Sequence, residues 1–468
     1  MEDFVYCAVM HRDVFSILLF LVFLITALAN SIAGVAYAKE IAVICVIGFI
    51  GIEIRRVAGL NLIAAAILTS VGVFAGYLAH DTAGTLLKGV ERTIPFLLLF
   101  GGVLCLRIPA NTSPSLLGLR DTVVRQPPGQ RYLMTAVSAH FLTITFNLAG
   151  ITLLSSLIRP GTEERLQRRL GRALAQGLAS ATCWAPFFVA AVVIYSVLPS
   201  VRWSTIAPVG ISLSAVLLCW SWLSDRLFVR PATPVKTTSV RTPDYSKPLV
   251  GREWLTLLTI LLTLLSAFVL AIDVAGLSVP VTIALIAPPF SLVWLRLIRR
   301  RPRIDAPETP TLRTILSEIP SLRNEATLFC AANILAVGIG IAVPPESVAA
   351  TALGWAGAPF ILLAVLVVLH GAINALGVHP VVPAILIPTL FPPHIIGIPP
   401  ELMALALLGM WGQGASVSPF SATVFMLARL SGQTNWTTSW GWNGWYVASS
   451  TILIVAFLYI VHLAGVFA

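Results

Sequence analysis

Stretches of about twenty mostly apolar residues recur along this chain from Val14 to its end. A helix of that length matches the hydrocarbon thickness of a bilayer. No soluble fold has room to bury so many. Only 11% of the residues are charged, against about 25% in soluble domains, so the solvent around the chain is lipid. Backbone polar groups in lipid must pair within the chain itself. The expectation is therefore an all-α polytopic membrane protein with about 11 transmembrane helices. The first run, Val14 to Val35, contains Ala27-Leu28-Ala29, which resembles a signal-peptide cleavage site. Further apolar runs follow at once, so it reads as an uncleaved lead helix.

Several function classes are excluded early. The six cysteines (Cys7, Cys45, Cys105, Cys183, Cys219, Cys330) are scattered without short spacings, which fits neither a disulfide framework nor a zinc site. The net charge of +10 does not indicate nucleic acid, because the arginines crowd into the loops between apolar runs, the positive-inside pattern. No P-loop, dinucleotide fingerprint, HExxH or CxxC is present. No catalytic residues, metal ligands or cofactor are expected.

The charges set a topology. With the amino terminus cytoplasmic, all Lys and Arg residues except Lys39, Lys88, Arg92 and Arg202 fall on the cytoplasmic side, and the carboxy terminus is external. This placement requires Tyr132–Ile158 to enter and leave on one side, as a re-entrant hairpin with arms of about 13 residues centred near Thr145. A second hairpin-like segment, about 350–393, lies in a stretch without Lys or Arg between Arg323 and Arg429. Four regions follow: a lead helix 1–38, a first repeat 39–225, a cytoplasmic linker 226–252 rich in Pro, Thr and basic residues, and a second repeat 253–468.

The two halves echo one another. Phe146-Asn147-Leu148-Ala149-Gly150 matches Ile373-Asn374-Ala375-Leu376-Gly377 at an offset of 227. Ala179-Ser180-Ala181-Thr182-Cys183-Trp184-Ala185-Pro186-Phe187 resembles Gly412-Gln413-Gly414-Ala415-Ser416-Val417-Ser418-Pro419-Phe420 at 233, and Glu91-Arg92-Thr93 matches Glu325-Ala326-Thr327 at 234. The copies start on opposite sides, so they are inverted. Each Pro ends a small, polar run inside an apolar helix, which predicts a break where backbone groups stand free to line a cavity.

This arrangement resembles the ion transporter superfamily, most closely the divalent anion/sodium symporters, and more distantly the large membrane subunit of tripartite periplasmic transporters. In the symporters each hairpin tip carries Ser-Asn-Thr. Here the triplets are Phe146-Asn147-Leu148 and Ile373-Asn374-Ala375, so the asparagines align and the flanking hydroxyls do not. The resemblance implies a homodimer in the inner membrane, an elevator motion, and substrate carboxylate and sodium bound near the tips.

The residues give a candidate site of the same kind. Asn147 and Asn374 each offer two donors and an acceptor, and Thr145, Thr182, Ser416 and Ser418 add hydroxyls for a substrate. Cation coupling falls to Asn147, Asn374, Ser180 and Ser416, with Pro186 and Pro419 opening carbonyls for Na⁺. His140, His370 and His379 are candidate proton carriers. Glu91 and Glu325 read as structural residues near helix ends. The function expected is cation-coupled (Na⁺ or H⁺) transport of a small, carboxylate-type solute, with membrane lipid and a second copy as partners. Alternatives are cation/proton antiport or metalloid efflux, and a membrane-embedded transferase or polymerase acting on a lipid-linked substrate.

Overall fold

The computed structural model describes residues 2–113, 116, 128–154, 158, 163–229, 251–299 and 311–467. No strand occurs among them. The linker expected at 226–252 lies mostly outside the described residues, as do Arg120, Arg125 and Arg159 of the basic stretches around the first hairpin.

The first half opens with α1 (Glu2–Ala33), α2 (Ala38–Glu53) and α3 (Gly59–Leu78). The amphipathic α4 (Thr82–Glu91) follows, capped by the Asp81 side chain accepting from the Gly84 amide at 2.9 Å, and leads into α5 (Ile94–Thr112). A hairpin comes next, α6 (Pro128–Phe146) and α7 (Leu148–Leu154). Then come α8 (Glu164–Ala181), α9 (Val189–Val197) and α10 (Trp203–Ser224). The second half contains α11 (Gly251–Val269), α12 (Val279–Arg299), α13 (Leu312–Leu316) and α14 (Arg323–Ala342). It continues through α15 (Pro345–Ala356), α16 (Pro359–Ala375), α17 (Val381–Leu390) and α18 (Pro393–Ile396). It closes with α19 (Pro400–Val417), α20 (Ala422–Ser431) and α21 (Trp442–Leu463).

This is a multi-pass membrane protein. Among the described residues seven spans are long and apolar enough to cross a bilayer: Arg12–Ala33, Gly59–Leu78, Thr82–Thr112, Trp203–Phe228, Val279–Ile298, Leu312–Ala342 and Thr437–Leu463. An eighth is added if α15 and α16, bent by 102° at their junction, count as one. The difference from the expected 11 has a physical origin. The apolar runs at 173–199 and 402–428 are each divided by a break, and α2 has only 16 residues.

Both breaks are built in the same way. Helix α8 ends where Thr182 turns its hydroxyl onto the Ala179 carbonyl at 2.8 Å, and residues 183–188, with Pro186, separate it from α9. Helix α19 ends at Val417, Ser418-Pro419-Phe420 is non-helical, and Ser421 caps α20 by accepting from the Val424 amide at 3.1 Å. Proline has no N–H to donate and clashes with the preceding turn, so neither helix can run on. The two broken helices cross each other at Gly412, where a Cβ would lie 2.2 Å from the Ala179 carbonyl oxygen. Only glycine permits that approach.

The hairpins differ in their turns. The first reverses on one residue, Asn147, with φ at 53°, a left-handed conformation that asparagine tolerates better than most residues. The second of the two arms of about 13 residues expected here would extend over residues 155–157, which lie outside the described residues. The second hairpin is α16 and α17, joined by residues 376–380, with Gly377 at φ 103°.

The halves interlock. Helix α3 packs along α14, and α12 packs along α5, so each half supplies a partner to the other. Phe96 and Phe100 of α5 meet Phe329 of α14 at ring distances of 5.2 and 5.3 Å. Two buried polar clusters tie the periphery. Ser16 of α1 donates to Glu53 of α2 at 2.7 Å, with Arg56 bridging Glu53 and Asp13. Arg169 of α8 grips Asp225, just past α10, in a two-pronged pair at 2.7–3.0 Å.

Candidate functional site

A cavity of about 280 Å³ lies where the hairpin turns and helix breaks converge on α5 and α14. That is close to the lower end of ligand-sized cavities, roughly 300–1,000 Å³. The first hairpin contributes Phe146 and Asn147, the first break Phe188 and Val189, the second turn His379 and Pro380, and the second break Ser421, Ala422 and Thr423. One face of α5 (Phe100, Val103, Leu104, Arg107) and one face of α14 (Glu325, Phe329) close it from the other side. The α5 positions follow the i, i+3, i+4, i+7 spacing of a single helical stripe.

The expected site residues divide into three groups. Asn147 and His379 line the cavity. The His379 ring accepts from the Val381 amide through Nδ1 at 3.2 Å and lies edge-on to Phe329 and Trp411. Thr145 lies on α6, but its side chain falls outside the described residues.

A second group is used in packing. The Thr182 hydroxyl donates to the carbonyl of Leu408 at 2.9 Å as well as to Ala179. Ser416 donates to Gly412 at 3.1 Å and Ala175 at 3.3 Å. His140 is held on both nitrogens. Trp184 donates to its Nε2 at 3.3 Å, and its Nδ1 meets the Ser180 hydroxyl at 2.9 Å. Ser180 spends its own proton on the Gly177 carbonyl at 2.8 Å, so it must accept from His140. That geometry defines a neutral imidazole protonated on Nδ1. Pro186 and Pro419 are buried inside their breaks.

The third group is buried without partners. Asn374 is fully enclosed behind the second turn, pressed against Gly414 of α19, and neither its amide nitrogen nor its oxygen finds a hydrogen bond. The Ser418 hydroxyl, just past the end of α19, is in the same condition. His370 has both nitrogens unpartnered among Leu366, Leu407 and Met410. Buried groups of this kind are costly unless something satisfies them.

Two charged residues on the cavity wall carried no functional expectation. Arg107 pairs with Glu318 at 3.3 Å, both side chains being nearly half exposed. Glu325 is exposed in the first turn of α14, whereas Glu91, its counterpart in the repeat, pairs with Lys39 at 3.1 Å. The matched Glu91 and Glu325 were a signal of sorts, but nothing linear separates the one facing the cavity from the one facing a lysine. Among the described residues no three His, Cys, Asp or Glu side chains gather as a metal site would need.

No family model matches the sequence, and no curated protein is similar to it. The fold does have a solved counterpart. It is similar to the YdaH transporter of Alcanivorax borkumensis, whose crystal structure is described as having an unusual topology. The TM-score is 0.57 at 18% identity, over 86% of this chain and 98% of that one. At that identity the likeness is one of fold. The chain shares the overall fold of that protein.

Proposed function

We propose that this protein is a secondary transporter, not an enzyme, moving a small carboxylate-type solute across the inner membrane with Na⁺ or H⁺ as the coupling ion. One observation carries the reading: a ligand-sized cavity bounded at once by both hairpin turns and both helix breaks. Irregular backbone at membrane depth lines substrate and ion sites in such folds. The resemblance to the divalent anion/sodium symporters supports an inverted repeat of 39–225 and 253–468 around a linker at 226–252, with a lead helix at 1–38. It also supports a homodimer and elevator-type movement, while the distribution of Lys and Arg supports a cytoplasmic amino terminus and an external carboxy terminus.

Within this reading Asn147 contacts the solute and Asn374 with Ser418 serves the cation. Their oxygens are the hard ligands that a small cation takes, and both are buried and unpartnered. The test is thermal unfolding of the purified chain in sodium chloride against choline chloride at equal ionic strength. Sodium should raise the transition by several degrees, and Asn374→Leu and Ser418→Ala should each abolish that rise. Equal transitions in both salts, together with uptake into proteoliposomes driven by a pH gradient alone, would replace sodium with protons.

Cation/proton antiport is the second reading, favoured by the carboxylate of Glu325 on the cavity wall. Proton efflux on addition of Na⁺ or K⁺ to acid-loaded vesicles distinguishes it.

A further inference from the structure

The cavity presents both signs of charge. Arg107 extends from α5 and Glu325 from α14, and among the described residues they form no ion pair with each other. The other charged neighbours are committed elsewhere. Arg323 donates to the carbonyls of Arg56 and Pro320, each at 2.8 Å, and does not line the cavity. Glu318 holds Arg107 from outside the cavity, in a half-exposed pair of the sort worth at most about 1 kcal/mol. His379 has its Nδ1 occupied by the Val381 amide. The rest of the cavity wall is largely apolar and aromatic, with Phe100, Phe146 and Phe329 prominent.

Opposite charges on one cavity wall favour a solute that carries the complement of each. A simple anion satisfies Arg107 but sits close to the Glu325 carboxylate. A simple cation has the reverse fault. A solute carrying both a carboxylate and a protonated amine on an apolar body satisfies both groups and the aromatic wall together. We infer that the substrate is amphoteric, with its carboxylate on Arg107 and its ammonium on Glu325. Arg107 exchanges Glu318 for the substrate carboxylate as it binds. This rests on the transporter reading and narrows its carboxylate solute to one that also carries a positive group.

Three probes of one shape separate the charges: phenylalanine, 3-phenylpropionate and phenethylamine. Binding to the purified full-length protein is measured by titration calorimetry. Phenylalanine should bind at least tenfold more tightly than either singly charged analogue, a comparison that needs no variant. Glu325→Gln should weaken phenylalanine and phenethylamine about tenfold and strengthen 3-phenylpropionate. Arg107→Gln should weaken phenylalanine and 3-phenylpropionate about tenfold and strengthen phenethylamine. Glu318→Gln, which frees Arg107, should strengthen both carboxylate probes. Equal binding of phenylalanine and 3-phenylpropionate, or parallel shifts of all three probes in the charge variants, would overturn the amphoteric assignment while leaving a transporter. If none of the three binds and none accumulates in proteoliposomes, the cavity is no solute site, and both readings fall.

Discussion

Thr182, at the first helix break, donates its hydroxyl across to the backbone carbonyl of Leu408 in the opposite broken helix, at 2.9 Å. The bond joins equivalent helices of the two halves, running from the first break to the middle of α19. It is fully buried, and it makes the crossing of α8 and α19 a fixed point beneath the cavity.

Thr182→Val keeps the shape and deletes the bond. A buried hydrogen bond contributes about 1 kcal/mol net, so the unfolding transition of the purified protein should fall by roughly that much. Thr182→Ser should restore it. A Thr182→Val protein as stable as wild type would show that the crossing is held by packing alone.

The same crossing predicts a sharp steric threshold. A Cβ at Gly412 meets the Ala179 carbonyl at 2.2 Å, whereas one at Gly51 meets nothing within 4 Å. Gly412→Ala should lose about 1–3 kcal/mol, the usual cost of overpacking, or fail to yield monodisperse protein. Gly51→Ala should be neutral or slightly stabilising, since alanine is the better helix former. Size-exclusion profiles and thermal unfolding of the two side by side check this, and equal behaviour would contradict the packing described.

Arg169 and Asp225 form a two-pronged ion pair that is mostly enclosed, with side chains 14% and 2% exposed. Breaking an enclosed pair by removing one partner costs about 3–5 kcal/mol. Asp225→Asn and Arg169→Met should therefore each destabilise strongly. The double variant Arg169→Met/Asp225→Leu should recover a good part of the loss, as replacement of buried pairs by apolar residues often does. Additive losses in the double variant would mean that the two groups act independently.

The charge-based topology has its own check. Arg165→Cys, at the exposed start of α8, should react with an impermeant thiol reagent only from the cytoplasmic side. His394→Cys, exposed on α18, should react only from outside. Labelling of both from the same side removes the inverted arrangement.

The hairpin turn at Asn147 and the breaks at Pro186 and Pro419 were legible in the sequence, because each interrupts an apolar run with a residue whose backbone demands are local. The number of crossings was harder to read, since a broken helix and a continuous one contain the same apolar residues. The placement of Asn374 was misread for a related reason. The first turn is a single residue, but the second spans 376–380, so His379 and Pro380 reach the cavity and Asn374 stays on the helix behind them. Its own carbonyl even accepts from Gly377 at 2.9 Å to begin that turn. Arg107 and Glu325 were hidden because their importance comes from α5 and α14 lying side by side. No spacing along a chain records that.

The interlocking of the halves bears on how the protein comes to exist. Helix α3 finds its partner in α14, and α5 finds its partner in α12. A ribosome that has delivered the first 225 residues has therefore made helices whose inner faces have nothing yet to meet. The Gly72 face of α3 must wait for Gly338 of α14, against whose backbone it finally rests. Until then lipid, or an insertion chaperone, has to cover those surfaces. Assembly of this molecule is an event of late synthesis, and truncation after the first half should leave a chain that the membrane holds but cannot fold.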